Sequence, residues 1–122
     1  MSVKFKHAAE AFVPVPHAEG VVENLCERTR GHCLSIRQTG ADKVLAFEDA
    51  RAILRPTSAG VQMRVEAKDM VVFYGVRVIL QGNLTAVAPV DAQDVEWYPA
   101  DGATFGALNS RALLRRSWSG GR

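Results

Sequence analysis

Cys26, His32 and Cys33 form a C-x5-H-C cluster, the densest grouping of soft donors in the chain. Two thiols and an imidazole at this spacing suggest a metal site or a nucleophile with its base. A structural zinc site needs four ligands, commonly in close pairs. Here there is one cluster, and His7 and His17 are the remaining histidines. A pair between either thiol and His17 would form only through folding, and the thiol would then need activation by its surroundings. The plainer reading is a helix-face thiol beside a loop imidazole. None of the serines lies in a G-x-S-x-G elbow. The glycines form neither a G-x-G-x-x-G fingerprint nor a P-loop, and Gly102-Ala103-Thr104-Phe105-Gly106 lacks the lysine that phosphate cradling requires. Glu48, Asp49, Glu66, Asp69, Asp91, Asp94 and Glu96 are scattered over expected turns and wet faces, not paired for acid–base work.

Arginine supplies the other chemistry. Arg37, Arg51, Arg55 and Arg64 fall on expected strands, with Arg51 and Arg55 in phase, and Arg37 with Lys43 if the turn permits. A basic sheet face with exposed aromatics would bind single-stranded nucleic acid. Phe47, Phe73 and Trp97 read instead as core, so nucleic acid is not expected as a partner. A face bearing Arg51, Arg55, Gln62, Arg64 and Glu66 reads as solvated and able to meet a protein. Trp97 and Tyr98 point opposite ways on an expected strand, which leaves one of them as an interface or pocket residue. The candidate ligand-binding residues are therefore His32, Cys33, Cys26, Arg64 and Trp97, with no catalytic residue, no metal ligand and no cofactor assigned.

The elements that would position these residues follow from periodicity. Ala11 to Pro16 reads as an extended lead-in, with two prolines favouring an edge strand. Val21, Val22, Leu25, Cys26 and Thr29 repeat at helical spacing, with Glu19, Glu23, Glu27 and Arg30 opposite, and Gly31 as the stop. Four short strands are expected at Cys33–Arg37, Lys43–Phe47, Ala50–Arg55 and Val61–Ala67. The last of them alternates strictly between apolar and polar. Met70 to Val87 is ambiguous, since its β-branched residues favour strand and its length favours helix. Asp69 as N-cap, and Met70, Phe73, Arg77, Leu80, Leu84 and Val87 at spacings of three or four, decide for helix. Gly75 and Gly82 weaken it by about 1 kcal/mol each. A last strand is expected at Asp94–Tyr98, and Asn109-Ser110 could cap a short helix carrying Leu113, Leu114 and Trp118.

The whole chain sets the bounds. With 122 residues it forms one domain, residues 1–100, followed by a C-terminal extension, residues 101–122, partly ordered or a short helix. A chain of this size buries roughly two thirds of the surface its unfolded form exposes. Its 48% hydrophobic and 23% charged residues are ordinary globular composition, which argues against disorder. A net charge of +2 is too mild to imply a nucleic-acid partner. The acid-free end with Arg111, Arg115, Arg116 and Arg122 reads as a solvated tail. No apolar h-region follows Met1, and the longest nearly uncharged run, Met70 to Val76, is far short of a membrane span. A cytoplasmic location with no membrane partner and both cysteines reduced is the expectation.

Leu25-Cys26 with His32, Phe47, the Val61–Ala67 strand running into Glu66-Ala67-Lys68-Asp69, and Val95-Glu96-Trp97 together carry a family resemblance. Over roughly residues 8 to 100 the chain resembles the bacterial family catalogued as domain of unknown function twenty-two eighteen. Members of that family occur alone and also fused ahead of the flavin-dependent reductase module of siderophore-interacting proteins. Tyr98-Pro99-Ala100-Asp101-Gly102 is similar to the linker of such fusions. The resemblance implies a role beside ferric-siderophore handling, with a siderophore-interacting reductase or another protein as partner. It implies no reductase activity, because no Arg-x-Tyr-Ser/Thr flavin motif is present. The chain departs from the family at Arg28-Thr29-Arg30 and at Asn83-Leu84-Thr85-Ala86, where members usually carry histidine or aromatic residues. Of the family's pattern, only His32 is carried over as a site residue.

The expected fold is α+β: an antiparallel meander of four to six strands with two helices packed on one face. The expected function is a non-catalytic binding or adaptor domain associated with siderophore and iron metabolism. One alternative is a small enzyme or ligand binder using His32 with Cys26 or Cys33. Another is a dimeric structural domain, since exposed sheet edges suit a homodimer. An adaptor should show a flat, partly apolar surface, and a ligand binder a closed pocket with convergent polar groups.

Overall fold

A computed structural model of the chain describes residues 5–88, 95–100 and 105. The element order is β1 (His7–Val13), α1 (Ala18–Thr29), a single 3-10 turn (Arg30–His32), β2 (Ser35–Thr39), β3 (Asp42–Phe47), β4 (Ala50–Pro56), β5 (Val61–Ala67), α2 (Met70–Val87) and β6 (Tyr98–Pro99). The strands form one six-stranded sheet in the order β2-β3-β4-β5-β1-β6. Every neighbouring pair is antiparallel. The fold is α+β, as expected, with a meander from β2 to β5 and both helices on one face.

The two-residue period of the strands sorts the core. On β5, Val61, Met63, Val65 and Ala67 share one face and are fully buried. Ala9, Ala11 and Val13 of β1, Ala50, Ala52 and Leu54 of β4, and Leu45 of β3 lie beside them in register. Against this face pack Val21, Val22, Leu25 and Cys26 of α1 and Phe73, Val76, Leu80 and Leu84 of α2. Small alanines on the sheet face large residues on the helices, so the layers interdigitate closely.

α2 resolves the ambiguous stretch in favour of helix. Asp69 caps it, its Oδ1 accepting from the Val72 backbone N–H at 2.9 Å. Replacing Asp69 with alanine leaves that donor unpaired, and a loss of about 1 kcal/mol in urea denaturation is expected. α1 starts differently, from His17 in the left-handed region (φ 56°) with no side-chain cap.

β3 begins one residue earlier than expected and β4 ends one residue later, at Pro56, while α1 gives way to the 3-10 turn before Gly31; three other differences are larger. β1 is no proline-bearing edge strand at Ala11–Pro16. It spans His7–Val13 and lies between β5 and β6, because Pro14 and Pro16 fall beyond its end and interrupt no ladder bond. β2 starts at Ser35 instead of Cys33, since the 3-10 turn after α1 holds the Cys33 N–H on the Arg30 carbonyl at 3.2 Å. Of the expected last strand, Tyr98 alone pairs, followed by Pro99; Val95 to Trp97 carry no ladder bonds and Asp94 lies outside the described residues. The expected helix after Asn109-Ser110 also lies outside the described residues.

Candidate functional site

The residues singled out in the sequence fall at three separate places. Cys26, His32 and Cys33 lie at the C-terminal end of α1. Cys26 is buried there, and burial pushes its thiol up to about 11. Burial also raises Cys33, against a hydrogen bond from the Thr29 side chain, and its Sγ donates to the Thr29 carbonyl at 3.3 Å. Both thiols are therefore protonated near neutral pH, the opposite of nucleophile activation. His32 is exposed. Among the described residues, no three His, Cys, Asp or Glu side chains stand together as a metal site.

Arg64 lies on the other face of the sheet, which is not the wet surface expected. Glu10 and Arg64 are cross-strand partners on β1 and β5, and Glu66 stands two residues along from Arg64. Arg64 donates from Nη1 to Glu10, from Nε to Glu66 Oε2 at 2.6 Å, and from Nη2 to the Ala100 carbonyl at 3.4 Å. Arg51 closes on the remaining oxygen of Glu66. Glu10, Arg64 and Glu66 are all buried. The reason is tertiary: β1 brings Glu10 alongside, and the chain leaving β6 places Ala100 over Arg64. Burial pushes the Glu66 carboxyl up, but the hydrogen bonds and charges of Arg64 and Arg51 outweigh this and hold it below its ordinary value.

The neighbouring arginines are engaged too. Arg55 forms a two-bond fork with Asp42 at 2.7 and 2.9 Å and lies 4.3 Å from the Phe105 ring centroid. Arg51 lies 5.7 Å from the Phe5 ring. Arg37 does not share a face with Lys43 as expected. The register sets Arg37 opposite Val44 and pairs Lys43 with Gln38, so Lys43 reaches Glu23 on the helix side.

Trp97 leads to the feature that the sequence reading missed. Its Nε1 donates to Gln81 Oε1 at 3.0 Å, which fixes the indole against α2. Both Trp97 and Tyr98 are half-buried, so the expected split between them is not seen. Beside Trp97 lies Arg77, whose guanidinium is 5.2 Å from the Trp97 ring, 5.3 Å from Tyr74 and 5.6 Å from Phe73. These rings and the start of β1 line an open cavity of about 260 Å³ with Arg77 in its wall. The Arg77 Nε is buried with no hydrogen-bond partner. No carboxylate among the described residues forms an ion pair with this arginine. The available signal was its position. Arg77 is the one charged residue between Met70 and Val87, and it occupies the apolar stripe.

The outer side of α2 adjoins this cavity. Val71 is 83% exposed, Val78 69% and Tyr74 51%, at helical spacings of three and four. Gly75 and Gly82 lie on the same side, and a Cβ built on either meets nothing within 4 Å. The segment has a mean hydropathy of 1.4 over 18 residues, long and apolar enough by composition to cross a membrane, although Phe73, Val76, Leu80 and Leu84 are committed to the core.

No family model matches the chain, and neither does any curated protein sequence. Among solved structures, the chain is similar to the NMR structure of PA4090 from Pseudomonas aeruginosa. The TM-score is 0.64 with 20% sequence identity, over 79% of this chain and 99% of that one. At that identity the likeness bears on the fold alone.

Proposed function

We propose that this chain is a non-catalytic adaptor domain acting beside ferric-siderophore handling, and that it docks a protein partner on the outer side of α2. The iron context comes from the family resemblance of the sequence. The docking reading is carried by one observation, the uncharged apolar stripe of Val71, Tyr74 and Val78. A soluble chain gains nothing by presenting such a stripe to water. Tyr74 is the kind of half-exposed aromatic that anchors interfaces. Gly75 and Gly82 strengthen the reading. Each costs the helix about 1 kcal/mol relative to alanine, and no neighbour among the described residues requires either. Missing side chains on an exposed helix allow close approach of a partner backbone. With no charge on the stripe, the matching surface must also be apolar and neutral. The partner proposed is the flavin-dependent reductase module of a siderophore-interacting protein.

The test is size-exclusion chromatography with light scattering, mixing this chain with a siderophore-interacting flavin reductase of the same organism. A one-to-one complex is expected. Val71→Glu with Val78→Glu should weaken it at least about tenfold, since two charges are desolvated against an apolar surface. The same pair should change the stability of the free chain by only about 0.5 kcal/mol, both sites being exposed. Failure to form a complex, or a complex indifferent to the two glutamates, refutes the reading. A concentration-dependent dimer of this chain that the glutamates abolish would assign the stripe to a second copy and replace the adaptor reading.

A further inference from the structure

We propose that the cavity walled by Arg77, Phe73, Tyr74 and Trp97 is a binding site for a small carboxylate carried on an apolar or aromatic body. This inference goes beyond the docking surface on α2 and stands independently of it.

Its basis is an incomplete charge balance. Taking a guanidinium out of water is expensive unless an anion and hydrogen-bond acceptors meet it. The other arginines buried or half-buried on the sheet, Arg64 and Arg55, obey this rule: each closes on a carboxylate. Arg77 breaks it. It is half-buried, its Nε is without a partner, and no carboxylate among the described residues pairs with it. The three ring faces offset part of the cost through cation–π attraction. They supply no acceptor for the N–H groups. Burial accordingly pushes Arg77 down from its ordinary value, with Tyr74 acting in the other direction.

The surroundings define what would complete the site. The lining adds His7, Met70 and Pro99 to the rings, with no Asp or Glu among the described residues. An anion there meets the Arg77 charge and no like charge from those residues. The walls are otherwise apolar and aromatic, so the body of the ligand should be a ring or a short branched chain. A cavity of about 260 Å³ limits it to one small ring, below the size range of drug-like sites. A carboxylate matches the planar fork of arginine in two parallel bonds. Trp97 is held in place by Gln81, so its ring face is set before a ligand arrives.

Benzoate is a suitable probe, and benzamide is its uncharged counterpart of the same shape. The chain has two tryptophans, so Trp118→Phe leaves Trp97 as the sole indole reporter. Benzoate should change Trp97 emission saturably with a Kd between about 10 µM and 1 mM, and benzamide should bind at least about tenfold more weakly. Arg77→Met should erase the preference between the two. Arg77→Lys should keep the charge preference with weaker binding, since lysine lacks the planar fork. Without ligand, Arg77→Met should melt no lower than the parent, because it removes a desolvated charge and keeps an apolar stem. A purely structural arginine would instead lose stability on substitution. Benzoate and benzamide titrating alike, or no saturable response to millimolar benzoate, overturns the proposal. That comparison uses the chain with Arg77 intact, so it decides the matter even if Arg77→Met does not fold.

Discussion

Gly60→Ala is expected to destabilise the protein by about 3 kcal/mol or more, enough to remove most of the stability of a small domain. A Cβ at this position would stand 2.2 Å from the Val13 carbonyl oxygen, 2.8 Å from Pro14 Cα and 2.9 Å from Phe12 Cζ. Two of these three atoms are backbone and cannot rotate away. Its φ of 157° adds conformational strain for any side chain. Relief by moving Gly60 is blocked because Thr57 holds the turn. The Thr57 N–H and Oγ1 both donate to the Gly60 carbonyl, at 2.7 and 2.9 Å, and Oγ1 accepts from the Gly60 N–H at 3.1 Å. Relief by moving Val13 and Pro14 would disturb the exit of β1 and the path into α1. Gly40→Ala is the control. Gly40 also has positive φ (61°) but open space around it, so only the left-handed penalty of about 1–2 kcal/mol applies. Urea denaturation of the two variants should separate the effects. Equal losses would show that the contact at Val13 yields more easily than the geometry implies.

Arg64→Met is expected to cost about 3–5 kcal/mol. The loss reflects what remains. Glu10 has no exposed surface, and Glu66 is 9% exposed. Without Arg64, Glu10 loses its buried cation and Glu66 keeps Arg51 alone. A triple variant, Glu10→Leu, Arg64→Met and Glu66→Leu, should recover much of the loss, because no buried charge is left uncompensated and the exposed Arg51 exchanges Glu66 for water. The pH dependence carries the sign. Glu66 is held below its ordinary value in the folded chain. Its contribution is therefore present above the unfolded pKa of about 4.3 and disappears as pH falls through the folded value. Arg64→Met lacks the Arg64 share of that contribution, so the gap between parent and variant should narrow below about pH 4. A gap constant across this range would trace the loss to packing instead.

The Thr57–Gly60 turn was legible as turn chemistry, and Val61–Ala67 as a strand with alternating faces. The need for glycine at 60 comes from Val13, which is distant along the chain and close only after folding. Arg64 and Glu66 looked wet because alternation marks a face as polar without saying what covers it. Glu10 and Ala100, supplied by β1 and by the chain leaving β6, decide that they are buried. β1 itself was placed too late because His7-Ala8-Ala9-Glu10 has no β-branched residue, and its strand conformation is imposed by pairing with β5. The helices carried their own signals, from the periodicity of α1 and the Asp69 cap of α2. At the candidate site, Trp97 was singled out by residue type, but the split expected between it and Tyr98 is not seen, both being half-buried. Arg77 was passed over as one step in a helical repeat, and the Cys26, His32 and Cys33 cluster drew attention by residue type alone. Burial of Cys26 and partial burial of Cys33, which no spacing reports, keep both thiols protonated.

The β1–β5 register bears on how the chain is made. Strands β2 to β5 follow one another through short turns, so each can pair as soon as it is complete. β1 is the first strand in the sequence, yet its ladder partner is β5, and residue 7 pairs with residue 67. A chain growing from its N-terminus must therefore carry Ala9, Ala11 and Val13 without their β5 partners until Val61–Ala67 has been synthesised. During that interval α1 has no completed sheet to pack on. The centre of the sheet closes only when β5 emerges, and vectorial synthesis leaves this domain without a stable partial fold of its N-terminal half.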